Sequence, residues 1–461
     1  MERLLLKYLL LDLRQRQIEL PNGWIYCSRD SNSNKHFYKA TEPYASLGVS
    51  YDPLVSILDK LKDAGMIEME VGDVYGDIPS MTKVRPTEVL LPYLNTIPEE
   101  LLRNLNDEIQ LLVLNQKFRR KRVVKKRRIK FEETEYTRLM AEGVGFLNNQ
   151  FKECHLDLCN PSQFDIGSEF ESGFKQTQVN INLNSKYLHR VFNEDFEHGG
   201  RFYGGWWQSV PSKMRPYILI DGEPTVEIDF KGYHVALLYS LKQIDYFEES
   251  PNRDPYHVDG WKREDVKLLL QIVLNCKKAN VISAYNNERM DQNKELIPAD
   301  RLRSLVAIFE EMHSQIWSYF YKGMGVTLQN IDALIAASVM RDCMQTGMLD
   351  EEGVRHKFIT LPVHDSFIVK QQYAAQLSKA MERAIEENVL AVSHFTDMNM
   401  TYFKPSLPVT QPADLSVIPR DDAFYERISR HACGAILPEL RIIKRSNEEE
   451  DIDLFCIDNS L

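Results

Sequence analysis

The sequence contains 461 residues, of which 43% are hydrophobic and 27% charged, and this composition indicates a globular protein of two or three domains. No run approaches the roughly 18 consecutive apolar residues that a membrane span requires, so the sequence predicts no membrane-spanning helix. The seven cysteines are scattered and odd in number, which predicts reduced thiols and a cytoplasmic location. The net charge of −11 disfavours a uniformly basic surface, but the charges are unevenly distributed. The segment Lys117–Lys130 is almost entirely basic, whereas Glu448–Asp451 is acidic.

Residues 1–95 have the pattern of a winged helix-turn-helix domain. Tyr44–Ser50 predicts a short helix and turn, and the apolar residues of Tyr51–Ala64 recur at helical spacing. A glycine then ends this helix, and Met66–Val71 predicts the first strand of a wing. Such a module binds DNA or docks on another protein. Both roles stay open because no basic stripe marks the presumed recognition helix.

Three further segments follow this domain. Residues 96–150 are predicted to be helical and to form a basic linker or reduced thumb, because they carry the run Lys117–Lys130. A run this dense can bind phosphates in a salt-sensitive manner, although a solvated helix face is the alternative. Residues 151–405 alternate helices and strands without repeats, which predicts one large domain. Residues 406–461 form a tail with prolines early and acids late.

Two carboxylate motifs lie far apart in the large domain. Thr225–Asp229 predicts a strand whose polar face ends at Asp229. Phe358–Lys370 predicts a tight hairpin whose turn presents His364 and Asp365. Carboxylates at strand ends in an apolar sheet are costly unless a cation compensates them, and two magnesium ions bridged by two aspartates are one solution. In the alternative, one aspartate caps a turn and the other forms a salt bridge.

A predicted helix between these motifs carries a row of cations and amides. In Trp261–Asn275, polar residues recur every four positions, and the apolar residues between them predict a buried face. Cations held in a fixed row suit a nucleoside triphosphate, whereas an ordinary solvated helix face is the alternative. The row comprises Arg263, Lys267, Gln271 and Asn275.

In order and separation, these motifs resemble motifs A, B and C of the family A DNA polymerases and their relatives, the phage-type single-subunit RNA polymerases. Gly199–Tyr203 is similar to the Arg-Gly-Arg-x-Tyr element that contacts template in the phage-type enzymes. Arg215–Asp229 is similar to the lead-in to motif A, and Leu328–Gly347 resembles the long palm helix before motif C. The resemblance covers roughly residues 180–385.

The resemblance implies an α+β fold in which a right-hand polymerase palm and fingers follow the N-terminal winged-helix domain. It implies a template-directed nucleotidyltransferase that adds nucleotides to a 3′-hydroxyl, with two Mg²⁺ ions held by Asp229 and Asp365. Lys267 would also be catalytic, contacting the triphosphate and protonating the pyrophosphate leaving group. The other nucleotide-binding residues would be Arg263, Gln271, Asn275 and His234. The nucleic-acid-binding residues would be Arg201, Tyr203, Arg215 and His364.

Departures from the two polymerase families bear on the choice of nucleotide. Asn275 stands where both families usually carry a tyrosine that shapes the nucleotide pocket. His234 stands where the DNA enzymes often have a glutamate and the RNA enzymes a glycine, and a histidine is bulky enough to exclude a 2′-hydroxyl. Ser366 and the Gly-Arg-Phe-Tyr element are more like the RNA enzymes. The sugar therefore stays undecided, with a preference for deoxynucleotides and thus for DNA synthesis.

The C-terminal tail suggests a protein partner. Its Asp-Ile-Asp-Leu-Phe segment resembles the Gln-Leu-x-Leu-Phe peptide that docks on bacterial sliding clamps, with aspartate in place of the glutamine. Docking would use Asp451, Ile452, Leu454 and Phe455. Two functions other than polymerisation stay open. One is a DNA-binding replication initiator or regulator with a non-catalytic palm, and the other is a nuclease that uses the same two metals.

Overall fold

The computed structural model describes residues 2–19, 23–27, 51–72, 82–98, 101, 110–120, 123–158, 183, 185–212, 214–230, 232–242, 244, 246, 254–292 and 294–396. These residues form a mixed α+β structure, as the sequence predicts. Within these ranges, no helix has both the length and the apolarity needed to cross a membrane. The C-terminal tail, with the predicted clamp-docking residues Asp451, Ile452, Leu454 and Phe455, lies outside the described residues.

The N-terminal residues fold as helices packed on a small antiparallel sheet. The elements are α1 (Glu2–Glu19), β1 (Ile25–Cys27), α2 (Tyr51–Asp63), β2 (Ile67–Glu70), β3 (Thr82–Pro86) and α3 (Leu91–Asn95). The strand order is β1-β3-β2, and Leu9, Leu58 and Val84 are buried in the shared core. Helix α2 and strand β2 confirm the predicted helix and the strand that follows it. The predicted helix and turn at Tyr44–Ser50 lie outside the described residues.

The basic run forms a β-hairpin, so the prediction of helix throughout residues 96–150 is wrong there. The elements of this region are β4 (Leu112–Arg120), β5 (Val123–Ile129) and α4 (Glu135–Glu153). In a helix, the like charges of the run would be repulsive neighbours three and four positions apart. In a strand, alternate residues leave the solvent, and Leu112 and Leu114 join Phe192 in a small core. Burial of these apolar residues therefore favours the strand.

Two larger sheets organise the rest of the described chain. Besides β4 and β5, their strands are β6 (Leu156–Leu158), β7 (His189–Asn193), β8 (Asp195–Tyr203), β9 (Ile218–Ile220), β10 (Glu223–Asp229), β13 (Leu361–Val363) and β14 (Ser366–Lys370). A separate short hairpin is formed by β11 (Met348–Leu349) and β12 (Arg355–His356). The first sheet has the order β5-β4-β7-β8, in which β4 and β7 are parallel. The second sheet has the order β13-β14-β10-β9-β6 and is antiparallel.

Helices cover these sheets and share one large hydrophobic core. The helices are α5 (Tyr233–Ser240), α6 (Arg263–Asn275), α7 (Val281–Asp291), α8 (Ala299–Met312), α9 (Met324–Arg341) and α10 (Ala374–Thr396). Short 3₁₀ turns span Trp206–Ser209, Arg215–Tyr217, Lys278–Asn280, Trp317–Tyr319 and Gln371–Tyr373, and a π-helical turn spans Asp342–Thr346. The core contains residues from Val144 to Ile385 along the chain.

Helix α9 connects the two larger sheets. It packs against β8 of the first sheet, and against β13 and α10 beside the second. Leu328, Ile335 and Val339 of this helix are fully buried. Its first turn also approaches α6 closely, because a Cβ added to Gly325 would lie 2.3 Å from Asn275 Oδ1. Helix α9 therefore fixes the first sheet, the second sheet and α6 relative to one another.

A glycine in the first sheet is required by a close contact. Gly200 lies where β7 and β8 shift register, with φ of 87°, and a Cβ there would be 2.5 Å from Phe192 Cε1. Backbone strain and this clash should make Gly200→Ala lower the free energy of unfolding by about 2–4 kcal/mol. The control is Gly143→Ala in α4, where a Cβ meets nothing within 4 Å, and it should raise the free energy of unfolding by about 0.5–1 kcal/mol. Urea unfolding measures both, and equal stabilities of the two variants would contradict the packing described.

Candidate active site

The two carboxylate motifs lie on neighbouring strands of the second sheet. β10 pairs antiparallel with β14 so that Asp229 stands opposite Ser366. The β13–β14 hairpin closes through His364 and Asp365, which confirms the predicted hairpin and puts Asp365 next to the partner of Asp229. Opposed residues of an antiparallel pair have Cα atoms about 4.5–5.5 Å apart. Both carboxylates are therefore at the same end of the sheet.

Asp229 shows the electrostatic effect of this arrangement. Burial and the charge of Asp365 raise the pKa of Asp229 to about 7, with Glu227 adding to the effect and Lys267 opposing it. Asp229 Oδ1 is buried and has no hydrogen-bond partner within the described part of the chain. A buried carboxylate oxygen without a partner is costly. This oxygen is therefore suited to a cation.

Helix α6 has the exposed and buried faces that its sequence predicts. The exposed residues are Arg263, Lys267, Gln271 and Asn275, and the buried residues are Val266, Leu269, Leu270 and Val273. The exposed row lies close to the carboxylates, because the charge of Lys267 counteracts the burial that raises the pKa of Asp229. The structure thus brings together Asp229, Asp365 and Lys267, the three residues predicted to be catalytic.

Arg263 begins the exposed row and is held by two neighbours. Its Nε donates a hydrogen bond to Asp254 Oδ2 at 2.6 Å, and its guanidinium lies 4.9 Å from the ring centre of Tyr256. Burial raises the pKa of Tyr256, and the charges of Asp365 and Asp229 act in the same direction. Tyr256 therefore lies near both the cationic row and the carboxylate pair.

Asn275 ends the row and contacts residues of both α6 and α9. Its Nδ2 donates to the carbonyl oxygen of Gln271 at 2.8 Å. The same amide lies against Gly325 in the first turn of α9. The contacts of Asn275 therefore join α6 to α9.

A buried ion pair lies beside the carboxylates. Arg201 on β8 donates from Nε to Asp332 Oδ2 on α9 at 2.6 Å, and its Nη2 lies 3.3 Å from His234 Nε2. Burial raises the pKa of Asp332 to about 6, although Arg201 opposes this effect. Burial lowers the pKa of His234 to about 4, and Arg201 assists, so the imidazole is neutral near pH 7. His234 therefore presents an acceptor nitrogen to Arg201.

Tyr203 and His364 contact each other at the turn that carries Asp365. Their ring centroids are 5.7 Å apart in an edge-to-face arrangement. His364 is exposed and has φ of 60°, a left-handed conformation that is uncommon for any residue other than glycine. Strained backbone clusters at functional sites. The structure thus brings two of the predicted nucleic-acid-binding residues together beside Asp365.

Arg215 has a different environment from the other predicted nucleic-acid-binding residues. Its Nε donates to Glu227 Oε2 at 2.7 Å, and Ser366 Oγ donates to Glu227 Oε1 at 2.5 Å. The Arg215 side chain is only 19% exposed. Arg215 therefore neutralises the buried carboxylate of Glu227, two residues before Asp229.

Sequence reasoning missed three residues that surround the site. Asp332 lies within an apolar stretch of α9, and a lone carboxylate in such a stretch is a signal that could have revealed it. Asp254 and Tyr256 lie in the segment before α6, where no periodic pattern marks them. Their part in the site depends on how this segment folds back on α6, so the sequence alone carries no signal for them.

No family model matches this chain, and no curated protein matches it. The chemistry of the site is therefore inferred from its own residues.

The carboxylate pair fits magnesium ions that a substrate helps to bind. Among the described residues, no group of three or more His, Cys, Asp or Glu side chains is arranged to hold a metal ion. Magnesium is usually bound through one or two carboxylates together with the phosphates of the substrate. Asp229 and Asp365 supply such a pair, and the buried Oδ1 of Asp229 has the unsatisfied acceptor capacity that a cation requires.

Asp229 should destabilise the metal-free fold in a pH-dependent way. Its pKa in the folded protein, about 7, exceeds the ordinary value of 3.8, so stability falls as the pH rises through this window. In buffer with a chelator, Asp229→Asn should therefore raise Tm by several degrees at pH 8. The gain should shrink as the pH falls toward 4, where the carboxyl group is protonated in the folded protein. Thermal unfolding across this range measures the effect, and a pH-independent difference would contradict the assigned pKa.

Proposed function

We propose that this protein is a template-directed nucleic-acid polymerase, which adds nucleotides to a 3′-hydroxyl with two Mg²⁺ ions held by Asp229 and Asp365. The observation that carries the proposal is the proximity of this carboxylate pair, at the end of a buried sheet, to Lys267 on an exposed helix face. Nucleotidyl transfer needs both parts, because carboxylates bind the metals and cations bind the triphosphate.

The protein side chains would mainly position and neutralise the substrate. Bound magnesium would supply charge neutralisation and a lower pKa for the attacking hydroxyl group. Lys267 would contact the triphosphate and donate a proton to the pyrophosphate leaving group. Arg263, whose orientation is fixed by Asp254 and Tyr256, would bind another phosphate of the same nucleotide. Positioning of this kind supplies a large part of the rate enhancement.

The residues around Arg201 would position the primer end and the incoming nucleotide next to the carboxylates. Tyr203 and His364 would contact the primer end, since they touch each other next to Asp365. Arg201 would hold His234 in place through the 3.3 Å contact while Asp332 balances its charge. Arg215 would act through Glu227 on the position of β10, because its guanidinium is already hydrogen-bonded there.

The elements correspond to the parts of a polymerase in this proposal. The second sheet with α9 and α10 would be the palm, and α6, α7 and α8 would be the fingers. The N-terminal helices and small sheet would be the winged-helix domain. The basic β-hairpin would stand where a reduced thumb is expected. These assignments rest on the order of elements and on the carboxylate pair.

A primer-extension assay tests the proposed activity. A labelled primer annealed to a longer template is incubated with Mg²⁺ and either four dNTPs or four NTPs. Extension should occur with one set, and we favour dNTPs. Asp365→Asn should reduce the rate by about a thousandfold or more, because it removes one of the two metal-binding carboxylates. The matched control, Asp300→Asn in the exposed first turn of α8, should leave the rate unchanged.

The same assay separates the other two functions. A non-catalytic initiator or regulator would bind DNA but extend no primer with either nucleotide set, and Asp365→Asn would then have no effect. A nuclease would shorten the labelled strand without added nucleotides, and Asp365→Asn would abolish the shortening. Either result would overturn the polymerase proposal.

His234 should help to select the sugar of the incoming nucleotide. Its imidazole is neutral and packs beside Arg201 near Asp365, where it would crowd a 2′-hydroxyl group. His234→Ala should therefore lower the preference for dNTPs over NTPs, measured as the ratio of kcat/KM values, by about tenfold or more. His198→Ala, which removes a half-exposed histidine paired with Asp195, serves as the control. An unchanged ratio in the His234 variant would exclude this residue from sugar selection.

A further inference from the structure

One side of the first sheet carries exposed cations at regular positions. Paired residues of a sheet project on the same side, and alternate residues along a strand share that side. Lys117 pairs with Lys126, and Asn115 pairs with both Arg128 and Asn193, so these five residues share one side of the sheet. Their contacts agree, because Lys126 Nζ reaches across β4 and donates to Asn193 Oδ1 at 2.9 Å. The cations Lys117, Lys126 and Arg128 are exposed.

The same side of the sheet leads to the candidate active site. His189 pairs with Tyr203 across β7 and β8, and their ring centroids are 6.4 Å apart. Burial lowers the pKa of His189 to about 4, and the charge of Arg128 acts in the same direction, so Arg128 lies near His189. Tyr203 in turn contacts His364 beside Asp365. These residues form a continuous row that ends beside the carboxylate pair. The row is here termed the basic face and comprises Lys117, Lys126, Arg128, His189 and Tyr203.

Two cations of the basic face repel each other. Lys117 and Lys126 stand directly opposite each other, which is unfavourable for like charges in a sheet. Burial and the charge of Lys117 lower the pKa of Lys126, whereas Glu194 acts in the opposite direction. The chain as a whole has a net charge of −11, so this local concentration of positive charge is opposite in sign to the charge of the whole protein. A bound polyanion would relieve the repulsion between them.

We propose that the basic face binds the phosphate backbone of the nucleic-acid duplex whose primer end lies at Asp365, an inference that rests on the proposed polymerase function. Four strands spaced about 4.8 Å apart give the face a width of about 14 Å, which matches about four base pairs along a duplex. Single-strand binding relies on exposed aromatic rings that stack with bases. On this face, His189 is buried and Tyr203 is half-buried, so backbone contact is favoured.

The opposite side of the same hairpin supplies a matched control. Arg127 follows Lys126 in β5 and therefore projects from the other side of the sheet. Its guanidinium lies 5.7 Å from the ring centre of Phe118, and its Nη2 donates to Gln116 Oε1 at 3.1 Å. Arg127 and Arg128 are both exposed and adjacent in sequence. Replacing either one removes a single charge from the same strand.

Fluorescence anisotropy with a labelled duplex that has a recessed 3′ end tests the proposal. The full chain is titrated in a chelator without nucleotides, over salt concentrations of about 50–250 mM. Lys126→Gln and Arg128→Gln should each weaken binding by about fivefold to tenfold and reduce the slope of log K against log salt by about 0.9. Arg127→Gln should change affinity by less than about twofold, since it lies off the backbone path. Arg128→Lys should retain most of the affinity, because it keeps the charge.

Several outcomes would overturn the proposal. Equal losses for Arg127→Gln and Arg128→Gln would show that the hairpin acts through its total charge rather than through one face. Unchanged affinity of both basic-face variants, or no duplex binding by the unsubstituted protein, would remove the face from the binding path. Preference for a single-stranded oligonucleotide, with the same sensitivity to Arg128→Gln, would identify a single strand as the ligand instead.

The result is independent of catalysis. Binding is measured without magnesium or nucleotides, so a face-specific loss could be found in a protein that extends no primer, and the polymerase proposal alone would then fail. Conversely, normal primer extension with no face-specific loss would leave the polymerase proposal standing and overturn only this inference. Thermal unfolding of each variant checks that the hairpin remains folded, since Lys126 also contacts Asn193.

Discussion

The structure around the candidate site depends on one constraint, the burial of two carboxylates at adjacent strand ends. The register that pairs Asp229 with Ser366 brings Asp365 alongside, and a shift by one residue would turn the whole polar face of β10 toward the opposite side. The third nearby acid, Glu227, adds to the repulsion, and Arg215 and Ser366 bind both of its own oxygens. The fold thus satisfies one acid internally and leaves Asp229 with an unsatisfied oxygen.

Helix α9 connects the carboxylate site to the first sheet. The ion pair between Arg201 and Asp332 joins β8 to α9, and both partners are largely buried. Buried ion pairs contribute little net stability compared with apolar packing, but breaking one leaves an uncompensated charge in a region of low dielectric constant. Only arrangements that keep the pair intact therefore avoid that cost. Because Arg201 also contacts His234 on α5, the pair sets the relative positions of three elements that line the site.

Sequence reasoning succeeded where local periodicity decides the structure. The exposed row of α6 and the hairpin at Asp365 follow from the spacing of apolar residues, which burial enforces. It failed where contacts between distant parts of the chain decide the structure. The basic hairpin forms because β4 pairs with β7, whose residues follow their partners by about 80 positions, and no local pattern identifies that partner. The contact of Asp332 with Arg201 likewise spans 131 residues, so only the folded chain reveals it.

The uneven distribution of charge makes an acidic protein compatible with the proposed anionic ligand. A net charge of −11 repels a polyanion from most of the surface, so a local concentration of cations becomes the favoured point of approach. Such asymmetry orients a ligand as well as attracting it, because other orientations bring like charges together. The basic face and the row from Arg263 to Lys267 both adjoin the carboxylate pair. A polyanion drawn to either set of cations is thereby directed to the two aspartates, whose own repulsion a phosphate can relieve only when metal cations accompany it.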